Sequence, residues 1–179
     1  ITAHKLHGPK GIGALWTRVG IEPVFRGGGQ EGGRRGGTQS APLAWAFAEA
    51  VERQLTDAEK VTALRDRLWA NVQALLPEIR LTGAPPGPGR LGNNLHFCVP
   101  GLPSGPLLNA LAAAGLCASA GSACGHGRFS RVLAAIGRQP DDGAFLRLSP
   151  GRFTTEDEID AAAAIVADAV AQLRPVYAR

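Results

Sequence analysis

A chain of 179 residues, 45% of them apolar, is long enough to bury one good core, and disorder is not its default state. No apolar run approaches the roughly 20 residues that span a bilayer, and the first residues lack the charged-then-apolar layout of a secretory signal, so a cytoplasmic protein without a membrane partner is expected. The formal charge of +4 rests mainly on arginine, Lys5, Lys10 and Lys60 being the only lysines, and with one tyrosine and no basic helical stripe nucleic acid is not an expected partner.

Three cysteines, Cys98, Cys117 and Cys124, cannot all pair, and without an export signal no disulfide framework is expected. The chain holds no methionine and opens on Ile1, which reads as a piece of a longer product.

Taken in chain order, Ile1-Thr2-Ala3-His4-Lys5 leads into a glycine-punctuated run, Gly8-Pro9-Lys10-Gly11-Ile12-Gly13. Residues 14 to 25 are rich in β-branched and aromatic side chains and predict one or two short strands around a turn at Gly20. Residues 26 to 38 hold seven glycines in thirteen positions and predict a loop. Within it, Arg34-Arg35-Gly36-Gly37-Thr38 gathers guanidinium groups, amides and a hydroxyl just before a helix, the makings of a phosphate site. The stretch Gly27 to Gly32 satisfies the dinucleotide pattern G-x-G-x-x-G only in form, since no apolar helix starts at its end.

Helical periodicity runs from Ala41 to Leu76, with a cap at Thr56-Asp57 dividing it in two. Pro77 ends the second helix, and strands are expected at 79 to 81 and 94 to 99 around a Pro-Gly loop at 83 to 89. A helix over 103 to 114 closes at Gly115, a strand follows at 117 to 119, and a loop carries Cys124. A short helix at 129 to 136, a strand at 144 to 149 and a long helix at 154 to 173, opened by the capping box Thr154-Thr155-Glu156-Asp157-Glu158, complete the chain.

Chemistry concentrates at four places. Lys5 can form a Schiff base with an aldehyde cofactor if its amine is partly neutral, or it is a solvated surface charge. Cys124 lies among small residues beside His126 and suits a reactive thiol, whereas Cys98 and Cys117 fall in apolar strands and read as buried structural thiols. Arg147, in an otherwise apolar strand, either turns to solvent or grips a carboxylate as a fork. His96, Cys98, Cys117, Cys124 and His126 lack metal-ligand spacing, so no metal is expected.

These motifs together resemble the C-terminal half of the cysteine desulfurases, pyridoxal-phosphate enzymes of the class V aminotransferase group that stand close to the selenocysteine lyases. The resemblance rests on Thr2-Ala3-His4-Lys5, Gly27 to Glu31 with Arg35-Gly36-Gly37-Thr38, Gly121-Ser122-Ala123-Cys124, and Arg147-Leu148-Ser149 with Gly151-Arg152-Phe153-Thr154-Thr155-Glu156. It implies an α/β protein of the fold-type-I class. Residues 1–45 would end the large cofactor domain, 46–76 would be connecting helices, and 77–179 would form an α+β small domain.

It further implies that Lys5 bonds the pyridoxal 5'-phosphate, that Thr2 and His4 hold its phosphate, and that Thr38 reaches the phosphate of the other subunit of a homodimer. Arg147 would hold the carboxylate of L-cysteine, and Cys124 would carry the persulfide to a sulfur-acceptor protein. Gln39-Ser40 stands where the family usually has an asparagine. With the residues that stack on the cofactor ring expected before Ile1, the chain alone is expected to hold the cofactor poorly. A selenocysteine lyase, a non-catalytic interaction module and a cofactor-free sulfur carrier are the alternatives.

Overall fold

The computed structural model describes residues 1–121 and 129–177. The chain divides into two compact units, Ile1–Asp57 and Ala58–Arg179.

In the first unit, the N-terminus folds back on residues 12 to 14. The Ala14 N–H donates to the Ile1 carbonyl at 2.9 Å, the Ala3 N–H donates to the Ile12 carbonyl at 3.2 Å, and Thr2 bridges Gly13. Between these paired ends the chain makes a tight 3₁₀ turn, Ala3–Leu6, closed by His7 in the left-handed region at φ 61°. Gly8 follows because nothing larger fits: a Cβ there would meet the Ala50 Cβ and the Ala3 carbonyl oxygen, each at 3.0 Å. Ala50 lies on helix α1 (Ala41–Thr56), whose first turn is capped by Ser40 and pre-shaped by Pro42.

The strands expected over 14 to 25 do not form. Beyond its two end residues the segment makes no backbone pairing, and Leu15, Trp16, Val19, Val24 and Phe25 are exposed. β propensity reflects the fit of a side chain on a pleated, half-buried surface, and no described residue offers that surface. The glycine loop is irregular as expected, apart from a 3₁₀ turn at Gln30–Gly33 in which Glu31 adopts a positive φ.

The second unit is a two-layer α/β arrangement. Strands β1 (Arg80–Leu81), β2 (Leu95–Val99) and β3 (Ala144–Leu148) form an antiparallel sheet in that order. Helices α2 (Ala58–Leu75), α3 (Ser104–Ala113) and α5 (Glu156–Tyr177) contribute Leu68, Val72, Leu107, Leu111, Ile159 and Val166 to one core with Leu95, Phe97, Val99, Leu146 and Leu148. Strand alternation sends the intervening residues to the other face, where Cys98 and Phe145 pack with Leu133 of the short helix α4 (Arg131–Ala135) and with Phe129.

Polar contacts tie the helices to one another and hold the loops. Arg67 on α2 grips Asp160 of α5 through two hydrogen bonds of 2.8 and 2.6 Å and reaches Glu156 at 2.7 Å, while Asn71 adds a third contact to Asp160. The capping box before α5 closes reciprocally: Thr155 N–H donates to Glu158 Oε2 at 2.9 Å and Glu158 N–H to Thr155 Oγ1 at 3.2 Å. The helix proper therefore begins at Glu156, after the expected Thr154. The loop between β1 and β2 is held by Arg90, which donates to the carbonyls of Thr82 and Ala84, and by the buried Arg65, which donates to the Leu91 carbonyl.

Two further expectations are corrected. Residues 117 to 119 form no strand; only Ser119 bridges β3, because the chain leaves Gly115 at φ 83° and meets the sheet edge at one point. Cys117 is consequently exposed, whereas Cys98 is buried as expected. Among the described residues no helix is long and apolar enough to cross a membrane.

Candidate functional site

Thr2, His4 and Lys5 stand together on the first unit's N-terminal turn. The buried Ala3 roots it, while the side chains of Thr2, His4 and Lys5 face outward. The turn is pinned at its base by the pairing of residues 1 to 3 with 12 to 14 and along its side by the Gly8–Ala50 approach. A lysine on so short a turn is held at its backbone and free at its amine. Among the described residues it makes no ion pair.

Thr38 follows the glycine loop and is exposed, two residues before the helix cap Ser40. The loop closes where the Gly36 N–H donates to the Phe25 carbonyl at 2.9 Å and Gly27 presses on Gly36. Arg35 lies over the Phe25 ring at 4.7 Å, where the aromatic face attracts its charge, and Ser40 Oγ takes the Leu43 amide at the helix start.

In the second unit Arg147 is the one exposed residue of β3. Its backbone N–H and C=O both turn to Ser119, at 2.6 and 3.1 Å. Its cross-strand partner is His96, whose own carbonyl accepts from Thr82 on the opposite side. With both residues' backbone bonds directed away from each other, they form a non-hydrogen-bonded antiparallel pair, the closer of the two kinds.

His96 is half-buried, and its pKa falls to about 4, chiefly through burial and then through the charges of Arg147 and Arg90. The imidazole is therefore neutral at physiological pH. Sequence reasoning treated His96 only as a conceivable metal ligand, and among the described residues no metal-holding group exists. The signal for its real neighbour lay in the alternation of 94 to 99, which puts His96 on the face opposite Phe97, but the register with β3 is not written in either strand alone.

Further along the same face, Cys98 donates its thiol to the Asp142 carbonyl at 3.4 Å. Its pKa is raised, chiefly by burial and then by Asp142, against the opposing charges of Arg138 and Arg80. It is an inert thiol. Cys124 and His126 lie outside the described residues.

The comparisons with known proteins cover most of the chain. The cysteine desulfurase NifS of Azotobacter vinelandii is 40% identical over 98% of this chain and 46% of its own length. A cysteine desulfurase IscS of Clostridium botulinum (strain Hall / ATCC 3502 / NCTC 13319 / Type A) is 39% identical over 89% of this chain and 43% of its own. Among solved structures, a NifS-like protein superimposes with a TM-score of 0.74 at 30% identity, covering 96% of this chain and 45% of that one, in agreement with the expected fold-type-I α/β class. The chain thus spans about half the length of the curated relatives it matches. The model of the aminotransferase class-V family matches residues 1–162, and the chain belongs to that family.

Proposed function

We propose that this chain is the C-terminal half of a pyridoxal-phosphate-dependent cysteine desulfurase, which removes sulfur from L-cysteine and leaves alanine. The observation that carries the reading is Lys5, an amine without an ion pair among the described residues, on a pinned turn, in a chain 40% identical over nearly its full length to a cysteine desulfurase.

The residues present fit the cofactor. Neither the Thr2 nor the Thr38 hydroxyl makes a hydrogen bond among the described residues, so both are available to a phosphate, as is the exposed His4 imidazole. When bound, pyridoxal phosphate supplies an electron sink for the pair released at the substrate Cα.

The protein's side chains do the rest. Lys5 would hold the cofactor through Nζ, and its amine would move the proton at the substrate Cα. Thr2 and His4 hold the phosphate, and Thr38 adds its hydroxyl to the phosphate bound by a second copy in a homodimer. Arg147, exposed on β3 and without an ion pair among the described residues, grips the substrate carboxylate as a planar fork. The Cys124 thiolate attacks the substrate sulfur; a sulfur–sulfur bond forms and the carbon–sulfur bond breaks, its electron pair staying on the substrate Cβ, which takes up a proton on the way to alanine, while the persulfide awaits an acceptor protein.

Borohydride reduction of the complete, cofactor-loaded protein tests the first assignment. Peptide mass spectrometry should find the cofactor fixed on Lys5. Fixation on Lys10 or Lys60, or on no lysine of this chain, contradicts it.

A further inference from the structure

Four observations on one face of the second unit's sheet concern His96. It opposes Arg147 in the closer, non-hydrogen-bonded kind of pair, so the two side chains rise side by side from the sheet. The ring lies over Phe145, centroids 6.1 Å apart at 33°. Its Nδ1 is buried with no hydrogen-bond partner. The other nitrogen, Nε2, has no partner among the described residues either and is not among the buried orphans, so among those residues it is open to an incoming group.

These facts assign the ring a direction. An Nδ1 with no acceptor in reach is a poor place for the proton, which favours the tautomer carrying it on Nε2. The open edge of the imidazole then presents an N–H beside a guanidinium that has no counter-ion among the described residues. A neutral N–H donor suits this place, since a second cation there would repel Arg147, whereas a neutral donor adds a hydrogen bond and a direction.

We infer that His96 is a carboxylate-orienting residue: its Nε2–H donates to one oxygen of the substrate carboxylate held by Arg147. The inference rests on the proposed role of Arg147 and adds to it a group that fixes which way the carboxylate turns. A fork alone grips the carboxylate in its plane; a neighbour on the adjacent strand selects among rotations about that grip.

Steady-state kinetics of the complete, cofactor-loaded enzyme with L-cysteine test it, with cysteamine, which has the amine and thiol but no carboxylate, as a competitive inhibitor. His96→Ala should raise KM about tenfold, the effect of losing one hydrogen bond to a charged group, and by more than it lowers kcat. His96→Gln, whose amide reaches the Nε2 position, should restore most of the loss, and His96→Asn, which mimics Nδ1, should not. The Ki of cysteamine should stay constant across the three.

If KM is unchanged in His96→Ala but raised in Arg147→Ala, the inference falls and the role of Arg147 stands. If the cysteamine Ki rises in step with KM, His96 acts on the fold and the inference falls too. If Arg147→Ala leaves KM unchanged, both fall.

Discussion

His96 and Cys98 rise from the same strand face, and each resists ionisation for the same first reason, burial, with different outcomes. Above the ordinary histidine range His96 is neutral whether folded or not. As pH drops from about 6.5 toward about 4, the unfolded chain takes up the proton while the folded ring, shielded from water and facing Arg147 on β3 and Arg90 in the β1–β2 loop, does not. Folding stability should therefore decline through that window, and urea midpoints measured from pH 7 to pH 4 should fall less steeply in His96→Gln than in the parent chain.

For Cys98 the raised pKa means less thiolate and slow alkylation. Iodoacetamide applied to the native protein should modify the exposed Cys117 and spare Cys98 until denaturant is added. Rapid native labelling of Cys98 would contradict its placement in the cluster with Leu133 and Phe145.

Among the elements, β2 carries the most. Phe97 is fully buried between the sheet and the helices, and Phe97→Ala should destabilise the protein by about 3–5 kcal/mol in chemical denaturation. Thr155→Ala, which removes one arm of the capping box before α5, should cost about 1 kcal/mol.

Elements whose signals are local were readable in the sequence. The helices over 41 to 75 show three-to-four periodicity with a break at Asp57, β2 shows strict alternation around Phe97, and α5 announces itself through Thr155 and Glu158. Elements that need a distant partner were not. Val19, Ile21, Val24 and Phe25 have strand-like side chains and no ladder to join, and Cys117 to Ser119 reach the sheet only at the Ser119–Arg147 bridge. The candidate site divides in the same way: motifs mark Lys5, Thr38 and Arg147, but the pairing of His96 with Arg147 exists only once β2 and β3 find their register. The stacking of Arg35 on Phe25 is likewise a contact no motif encodes.

At the scale of the molecule, the two units differ in how much they bury. The second has a continuous core; the first exposes Leu15, Trp16, Val19, Val24 and Phe25 in one run, and Trp45 and Leu55 on α1. Exposed large apolar side chains gathered in one stretch are expected to bind apolar partners. The isolated chain should bind a hydrophobic dye such as ANS strongly, and joining it in frame to the other half found in its relatives should sharply reduce that fluorescence.

The chain spans about half the length of the curated relatives it matches, so the proposed chemistry is tested on the complete protein. The most direct measurement gives L-cysteine to the complete, cofactor-loaded protein, quantifies alanine and reads the cysteine peptides by mass spectrometry. Alanine should form, and the Cys124 peptide should gain one sulfur atom while those of Cys98 and Cys117 do not. Alanine formed with no sulfur on Cys124, or no alanine at all, would contradict the proposed function.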